Sequence, residues 1–323
     1  VACGSVYGGT SSAILINTPG TPQAAETVHV GYPLAVRREP DNALGWATFA
    51  SVSGGLCSCL SLIFAAPQLA AFALNFGPME TFALIILALT CIASVSRGSL
   101  AKGLFAGVLG LFVSIVGSDP ITGDMRYTFD NFAISAGFDV IPVVVGLFAL
   151  SEVFMRASEP GQAAGRLIRY AGMKLPSLAD MRGRWGVLTK SSIIGSAVGA
   201  LPGTGAATAA FIAYAEAKRT SRNADAFGTG EPDGLLAPES ANNAVTGSAL
   251  VPALALGIPG DAVTAVMLTA LTINGITPGV RLMADNPAIV YACFIALFAA
   301  NIVMFLMAFA SARAFAFVLK MPE

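Results

Sequence analysis

The sequence predicts an all-α integral membrane protein that crosses the bilayer several times and contains discontinuous helices. Only 11% of its 323 residues are charged and 55% are hydrophobic, whereas soluble domains carry about 25% charged residues. The apolar residues form charge-free windows close to the length that a membrane-crossing helix needs, about 20 residues. Several of these windows contain Pro-Gly pairs, which interrupt helices.

The composition also excludes several classes of function. The net charge of −1 leaves no basic surface for nucleic acid. The single histidine, His29, cannot build a metal cluster, and the five cysteines lack both an even count and zinc-site spacing. No nucleophile and base lie together in a span, so we expect no enzyme, no cofactor and no metal. Because the chain opens at Val1 inside an apolar stretch, we expect a fragment of a longer protein.

Five windows predict simple spans, because they lack a central proline and can satisfy every backbone group internally. They are residues 43–66, 80–96, 101–117, 139–155 and 287–308. The basic clusters at 37–38, 97–102 and 156–190 then share one face of the membrane, which the positive-inside rule assigns to the cytoplasm. Residues 118–130 fall outside, and Trp46 and Trp185 lie near span ends, as interfacial anchors do.

Four further windows contain breaks, and they predict half-helices that are buried in protein or line a cavity. The breaks are Thr18-Pro19-Gly20-Thr21-Pro22, Leu201-Pro202-Gly203-Thr204-Gly205, Ile258-Pro259-Gly260 and Thr277-Pro278-Gly279. Basic residues flank the second window on both sides, at Lys190 and Lys218. It therefore predicts a re-entrant hairpin with its tip at Pro202-Gly203, and a bent span is the alternative.

A weak internal repeat relates the interrupted window at 1–25 to the one at 240–260. Gly8 precedes Pro19 by eleven residues, and Gly247 precedes Pro259 by twelve. A helix-start signature follows each Pro-Gly pair, with Thr21 and Asp261 as N-caps, and Thr204-Gly205 offers a third. We expect an inverted repeat with a first half at 1–155, a cytoplasmic amphipathic connector at 156–184 and a second half at 185–323. Paired broken segments indicate the binding site of a secondary transporter.

Three stretches of the sequence resemble the signatures of one family. They are residues 7–20 (YGGTSSAILINTPG), residues 199–205 (GALPGTG), and residues 237–260, which open with APESANNA and close with LGIPG. Together they are similar to the large membrane subunit of the tripartite tricarboxylate transporters. The resemblance covers essentially the whole chain with the motifs in the right order.

The resemblance implies a multi-pass carrier in the bacterial inner membrane that takes up di- or tricarboxylates such as citrate. A sodium or proton gradient would drive uptake, and a small membrane subunit and a periplasmic solute-binding protein would be its partners. Family members extend further at both ends and carry a Leu-Pro-Gly element before the first motif. That element is missing here, so the first repeat is incomplete. A channel, or another helical permease for small organic solutes, is the alternative function.

Polar residues at the breaks are the candidates for substrate binding. Polar side chains in hydrocarbon cost free energy unless they have a partner, and Asn17, Thr18 and the Asn242–Asn243 pair lie in such segments. Either these residues bind substrate or they form hydrogen bonds between helices. Half-helix N-termini also offer free N–H groups and partial positive charge to a carboxylate. The candidate residues are Asn17, Thr18, Gly20, Thr21, Pro202, Gly203, Thr204, Gly205, Asn242, Asn243, Pro259 and Gly260.

Two acidic residues are candidates for holding the coupling ion. Asp261 either helps to bind a cation or proton or is a plain helix cap. Glu239 either has the same coupling role or lies at the membrane interface.

Overall fold

The computed structural model describes residues 2–17, 20–37, 40–75, 100–119, 123–129, 131–138 and 173–318, and positions 77, 79, 80, 82, 83, 86, 143 and 154. This part of the chain is predominantly helical. Its helices are α1 (Ala2–Ile16), α2 (Ala25–Arg37), α3 (Pro40–Ala73), α4 (Leu100–Ser114), α5 (Trp185–Gly199), α6 (Gly205–Thr220), α7 (Pro232–Ser248), α8 (Leu250–Leu256), α9 (Ala262–Ile273), α10 (Leu282–Asp285) and α11 (Pro287–Val318). Short 3-10 turns occupy Pro22–Ala24, Phe132–Ile134 and Ala224–Ala226.

Some sequence predictions fall on parts of the chain outside these residues. They include the span at 139–155, most of the span at 80–96, and residues 156–172 of the connector. The division into two repeat halves therefore stays a prediction.

Two of the described helices are long and apolar enough to cross a membrane, at Pro40–Ala73 of α3 and Pro287–Ala312 of α11. Both extend beyond the simple spans predicted at 43–66 and 287–308. Phe64 and Phe72 of α3 and Tyr291 of α11 are more than 60% exposed, so the helices have apolar outer faces. Such faces are stable against lipid or another apolar partner.

The predicted span at 101–117 forms a shorter helix, since α4 ends at Ser114. Beyond it, strands β1 (Gly117–Ser118) and β2 (Met125–Arg126) pair antiparallel, with Gly117 opposite Arg126. Asp119 and Arg126 form an ion pair beside this ribbon. The loop that the sequence places outside the membrane thus begins as a small β-ribbon.

Helices α5 and α6 form an antiparallel hairpin. They are 15 and 16 residues long, or roughly 23 Å each at 1.5 Å per residue, which is shorter than the apolar core of a bilayer, about 30 Å. Lys190 near the start of α5 forms an ion pair with Glu216 near the end of α6. This pair places the start of α5 beside the end of α6. The two helices therefore form the predicted hairpin and not a bent span.

Helix α7 is the centre of the described fold, and small residues bring its neighbours close to it. A Cβ atom added to Gly54 of α3 would lie 2.1 Å from the carbonyl oxygen of Ser240, and one on Gly195 of α5 would lie 2.3 Å from that of Ala241. Close approach of this kind at glycines is typical of helix packing in membranes. As a result, α7 is buried over nearly its whole length.

Two expectations about polar and aromatic side chains were wrong. Trp46 is not an interfacial anchor: it is 8% exposed, and the Arg184 guanidinium lies 5.6 Å from its ring centroid. Arg184 also forms ion pairs with Glu231, at 2.6 Å, and with Asp233. The guanidinium group of Arg184, held by its two ion pairs, thus makes a cation–π contact with the buried ring of Trp46.

The hydroxyl groups of Thr21 and Thr204 do not cap helices, contrary to the sequence prediction. Thr204 Oγ1 donates instead to the carbonyl oxygens of Val198, at 2.6 Å, and Leu201, at 3.0 Å. Thr21 Oγ1 is buried and has no hydrogen-bond partner. Asp261 does cap α9, through a reciprocal capping box with Thr264 at 2.8 Å in both directions.

Candidate functional site

Helix α7 holds a carboxyl group at the centre of the described fold. The side chain of Glu239 is 0% exposed, and hydroxyl groups from three other helices surround it. Thr10 of α1 lies 3.0 Å from both Oε1 and Oε2, Ser51 of α3 lies 3.2 Å from Oε2, and Thr27 of α2 donates to Oε1. We call these four residues the Glu239 cluster. Glu239 is therefore enclosed by protein on every side, and its depth in the membrane stays a prediction.

The next turn of α7 carries the two predicted asparagines, each 1% exposed. Asn243 Nδ2 donates to the carbonyl oxygen of Glu239 at 3.1 Å. Neither side-chain polar atom of Asn242 has a hydrogen-bond partner. A buried amide in this state carries an uncompensated desolvation cost, so Asn242 is ready to bond to a polar group that enters beside it.

The first break, between α1 and α2, turns on Asn17, which adopts a left-handed conformation with φ 55°. Asparagine tolerates this conformation and commonly ends helices in it. The chain then returns to α1, where the N–H of Gly20 donates to the carbonyl oxygen of Gly9 at 3.4 Å. A Cβ atom on Gly9 would lie 2.5 Å from Thr21 Oγ1. Gly20 and Thr21 therefore pack directly on the backbone of α1.

The break between α8 and α9 has corresponding local features. Gly257, two residues before Pro259, is left-handed with φ 74°, as Asn17 is two residues before Pro19. Gly260 packs on Ala249, eleven residues earlier, where an added Cβ would lie 2.9 Å from the alanine Cβ. Gly20 packs on Gly9 at the same separation of eleven residues. The shared features extend the sequence similarity on which the predicted repeat depends.

The tip of the α5–α6 hairpin meets this second break directly. The N–H of Gly203 donates to the carbonyl oxygen of Gly260 at 2.9 Å. Gly203 and Gly205 have φ values of 77° and 71°, which side chains with a Cβ atom rarely adopt. Helix α6 begins at Gly205 with no side-chain cap, since the Thr204 hydroxyl points back to α5.

The structure therefore brings two groups of predicted residues together. Gly203 and Gly260 are in direct contact, with Pro202, Thr204, Gly205 and Pro259 as their chain neighbours. Glu239 and Asn243 are linked on α7, and Thr10 joins the first signature to the third. Gly20 and Thr21 pack on Gly9 of α1 and Asn17 follows the end of α1, whereas Thr18 and Pro19 lie outside the described residues.

Sequence reasoning missed four buried polar residues, three at the site and one on α11. Thr10, Thr27 and Ser51 hold Glu239, and Asn301 of α11 is 1% exposed with Oδ1 unpaired. Thr10, Ser51 and Asn301 are polar residues inside apolar segments, and Thr27 lies between Glu26 and His29. The signal is weak, because polar side chains in helices also bond to carbonyls of their own helix. Within the described part of the chain, no three His, Cys, Asp or Glu side chains lie close enough to hold a metal ion.

Apolar helices, interrupted by Pro-Gly breaks and packed around a buried polar helix, define this chain as a helical membrane protein with discontinuous helices. The chain belongs to the tripartite tricarboxylate transporter TctA family, whose family model matches residues 1–323. No solved structure matches it.

Two curated relatives come from Agrobacterium vitis. The chain is 36% identical over 301 residues to an uncharacterized 52.8 kDa protein in the TAR-I ttuC' 3' region, a match that covers 93% of this chain and 60% of the relative. It is 37% identical over 110 residues to an uncharacterized protein in the TAR-II ttuC' 3' region, covering 34% of this chain and 46% of that relative. The chain thus spans less than two thirds of the length of either relative.

Proposed function

We propose that this chain is part of the large permease subunit of a binding-protein-dependent carrier that takes up di- or tricarboxylates across the bacterial inner membrane. A small membrane subunit and a periplasmic solute-binding protein are the proposed partners, and an ion gradient is the proposed energy source. Family membership supports this assignment, and the distribution of Lys and Arg supports the multi-pass orientation. Because the chain spans 60% of one relative, the activity is proposed for the full-length protein.

The observation that carries the proposal is the unbonded amide of Asn242. It lies on the most deeply packed helix, in the signature segment that ends at Gly260, and lipid cannot satisfy it. A carboxylate ligand would accept from Nδ2, and a hydroxyl group on the same ligand would donate to Oδ1. Hydroxy-substituted di- and tricarboxylates present both groups, so they fit this amide better than a purely apolar or cationic solute.

The hairpin tip supplies the second feature that suits an anion. Helix α6 begins at Gly205 without a side-chain cap, so its first N–H groups and the positive end of its dipole remain available to a ligand. Gly203 and Gly205 expose backbone at this point because they have no side chains. The tip meets Gly260 beside Ala249, seven residues beyond Asn242, or roughly 10 Å at 1.5 Å per residue. We propose that the substrate site extends between this contact and α7, with Asn242 and Asn243 as the side chains that orient the ligand. Asn17, Gly20 and Thr21 form the proposed counterpart in the first repeat.

Reconstitution of the full-length protein with both partners tests the proposal. Labelled di- and tricarboxylates are presented to proteoliposomes under sodium or proton gradients, and we expect saturable accumulation of at least one of them. Proteoliposomes without the binding protein are the control, and they should accumulate none. Uptake of neutral solutes or cations alone would refute the substrate class. Flux that neither saturates nor responds to the gradient would instead indicate a channel.

A further inference from the structure

We propose that the Glu239 cluster is a proton-binding site that couples carboxylate transport to the proton gradient. This inference rests on the proposed function and adds to it the identity of the coupling ion and the residues that hold it. The cluster joins α1, α2, α3 and α7, and its carboxyl group is fully buried. No basic side chain in the described part of the chain forms an ion pair with Glu239.

The cluster can satisfy both protonation states of the carboxyl group. In the ionised state, the hydroxyl groups of Thr10, Thr27 and Ser51 all donate to it. In the protonated state, the carboxyl O–H donates to Thr10 Oγ1, and Thr10 turns its own hydrogen to the carbonyl oxygen of Val6 at 3.2 Å. A hydroxyl group with a second acceptor in reach therefore lets the proton bind or leave without stranding a buried polar group.

The same geometry favours a proton over a metal cation. A dehydrated cation would have to lie between the carboxylate and hydroxyl oxygens, but these are already in direct contact at 3.0 to 3.2 Å for Thr10 and Ser51. A proton needs no such space. It also removes the negative charge that burial makes costly when no cationic partner is present.

The helices packed around Glu239 offer few competing titratable groups. On α1, the Tyr7 hydroxyl is bonded to Thr48 at 2.7 Å. Helix α2 carries buried Glu26, exposed His29 and half-buried Tyr32. Residues 47–55 of α3, around Ser51, contain no titratable side chain. On α5 and α6, Lys190 and Arg219 both pair with Glu216, and Tyr214 makes an edge-to-face contact with Phe227. Helix α8 carries no titratable side chain.

A bond along α7 connects the cluster to the proposed substrate site. Asn243 Nδ2 donates to the main-chain carbonyl of Glu239, and Asn242 lies one turn from that carboxyl group. Protonation turns the Thr10 hydroxyl group of α1 towards Val6 and leaves Thr27 of α2 and Ser51 of α3 as the donors to the carboxyl group. The bonds that hold the asparagine-bearing segment of α7 to its neighbouring helices therefore differ between the two protonation states. This difference couples proton binding to substrate binding.

Glu239→Gln in the full reconstituted complex tests the inference, because glutamine keeps the shape but carries no exchangeable charge. We expect gradient-driven accumulation to fall to a ratio of about 1, the value for uncoupled equilibration, while exchange of labelled for unlabelled carboxylate continues. Glu26→Gln is the matched control, since Glu26 is also buried and adjoins Thr27. It should retain accumulation.

Ser51→Ala provides an independent readout, because it removes one donor to the ionised carboxylate and leaves the carboxyl group in place. The pH midpoint of accumulation should move upward by about one unit, since the protonated state becomes relatively more stable. A purely structural role for Ser51 would lower the rate without moving this midpoint.

Three results would overturn the inference: accumulation by Glu239→Gln at the wild-type ratio, loss of exchange together with accumulation, or wild-type accumulation driven by sodium alone at constant pH. Failure of the wild type to exchange any carboxylate would refute the proposed function instead. In that case the proton site is still testable by titrating purified complex, where Glu239→Gln must bind one proton fewer than wild type.

Discussion

Replacing Asn242 by leucine should stabilise the protein relative to the same substitution at Asn243, although both changes should abolish uptake. The two residues are adjacent on α7 and equally buried, at 1% exposure. Leucine has the same branching as asparagine and removes polarity without adding charge. The added volume is the same at both positions, so to a first approximation its cost cancels in the comparison.

The expected difference follows from the hydrogen bonds at the two positions. Asn243→Leu loses the bond from Nδ2 to the carbonyl oxygen of Glu239, which costs about 0.5 to 1.5 kcal/mol. Asn242→Leu loses no bond and removes an amide whose two polar atoms are unpaired, which relieves a penalty of about 1 to 3 kcal/mol. The Asn242 variant should therefore be more stable than the Asn243 variant by about 1.5 to 4.5 kcal/mol.

Thermal unfolding of the purified ligand-free complex measures this difference, and uptake into proteoliposomes gives the activity. Higher stability combined with lost uptake indicates a residue that is kept for ligand binding at the expense of folding. Equal stabilities would show that Asn242 already has a partner. Wild-type uptake by both variants would refute the proposal that α7 contributes to the substrate site.

Three further predictions concern the hairpin and the orientation of the chain. Gly203→Val should abolish uptake, because it distorts the hairpin tip where the N–H of Gly203 bonds to Gly260 at 2.9 Å; φ 77° there is strained by about 1 to 2 kcal/mol for a residue with a Cβ atom. Gly275→Val is the control: at φ 75° with open space around it, it carries similar strain outside the proposed site and should retain uptake. Single cysteines placed at Arg166 and Thr122 should react with an impermeant reagent from opposite sides, and labelling from one side would refute the orientation. The pKa of Glu216, which follows the charge-free segment, is lowered to about 2 by Arg219 and Lys190. The ordinary pKa of a glutamate is 4.5, so the ion pairs of Glu216 contribute fully to the stability of the hairpin above that pH. This contribution is lost as the pH falls through about 2. In Glu216→Gln, that part of the acid dependence of thermal stability should disappear.

The sequence predicted the helix breaks well, because proline and glycine act locally. The breaks after Ile16, Gly199 and Leu256 follow from residues within a few positions of each break. The full length of α3 could not be predicted in the same way. Pro67 and the polar residues after Pro40 argued for a shorter span, whereas tertiary packing carries the helix to Ala73.

The site was predictable only where a residue was unusual for its position. Asparagine on a buried helix is costly, so Asn242 and Asn243 stood out from the sequence alone. Threonine and serine are common in membrane helices, so nothing in the local pattern distinguished Thr10, Thr27 or Ser51 from ordinary packing residues. Their role depends on contacts with Glu239 across more than 180 residues of chain, which no local pattern encodes.

The position of α3 changes how transport must be divided between moving and fixed parts. In the carrier proposed here the broken helices would move against the simple spans, in an elevator-like or a rocking motion, and α3 was predicted to be a simple span. However, Ser51 of α3 bonds to Glu239, and Gly54 has no space for a Cβ atom against Ser240. Sliding α7 along this part of α3 would break a buried hydrogen bond and open a gap in a close-packed interface. If the proposed substrate site on α7 moves, the first half of α3 must therefore move with it. The contact between the moving and the fixed helices then lies elsewhere than between α3 and α7.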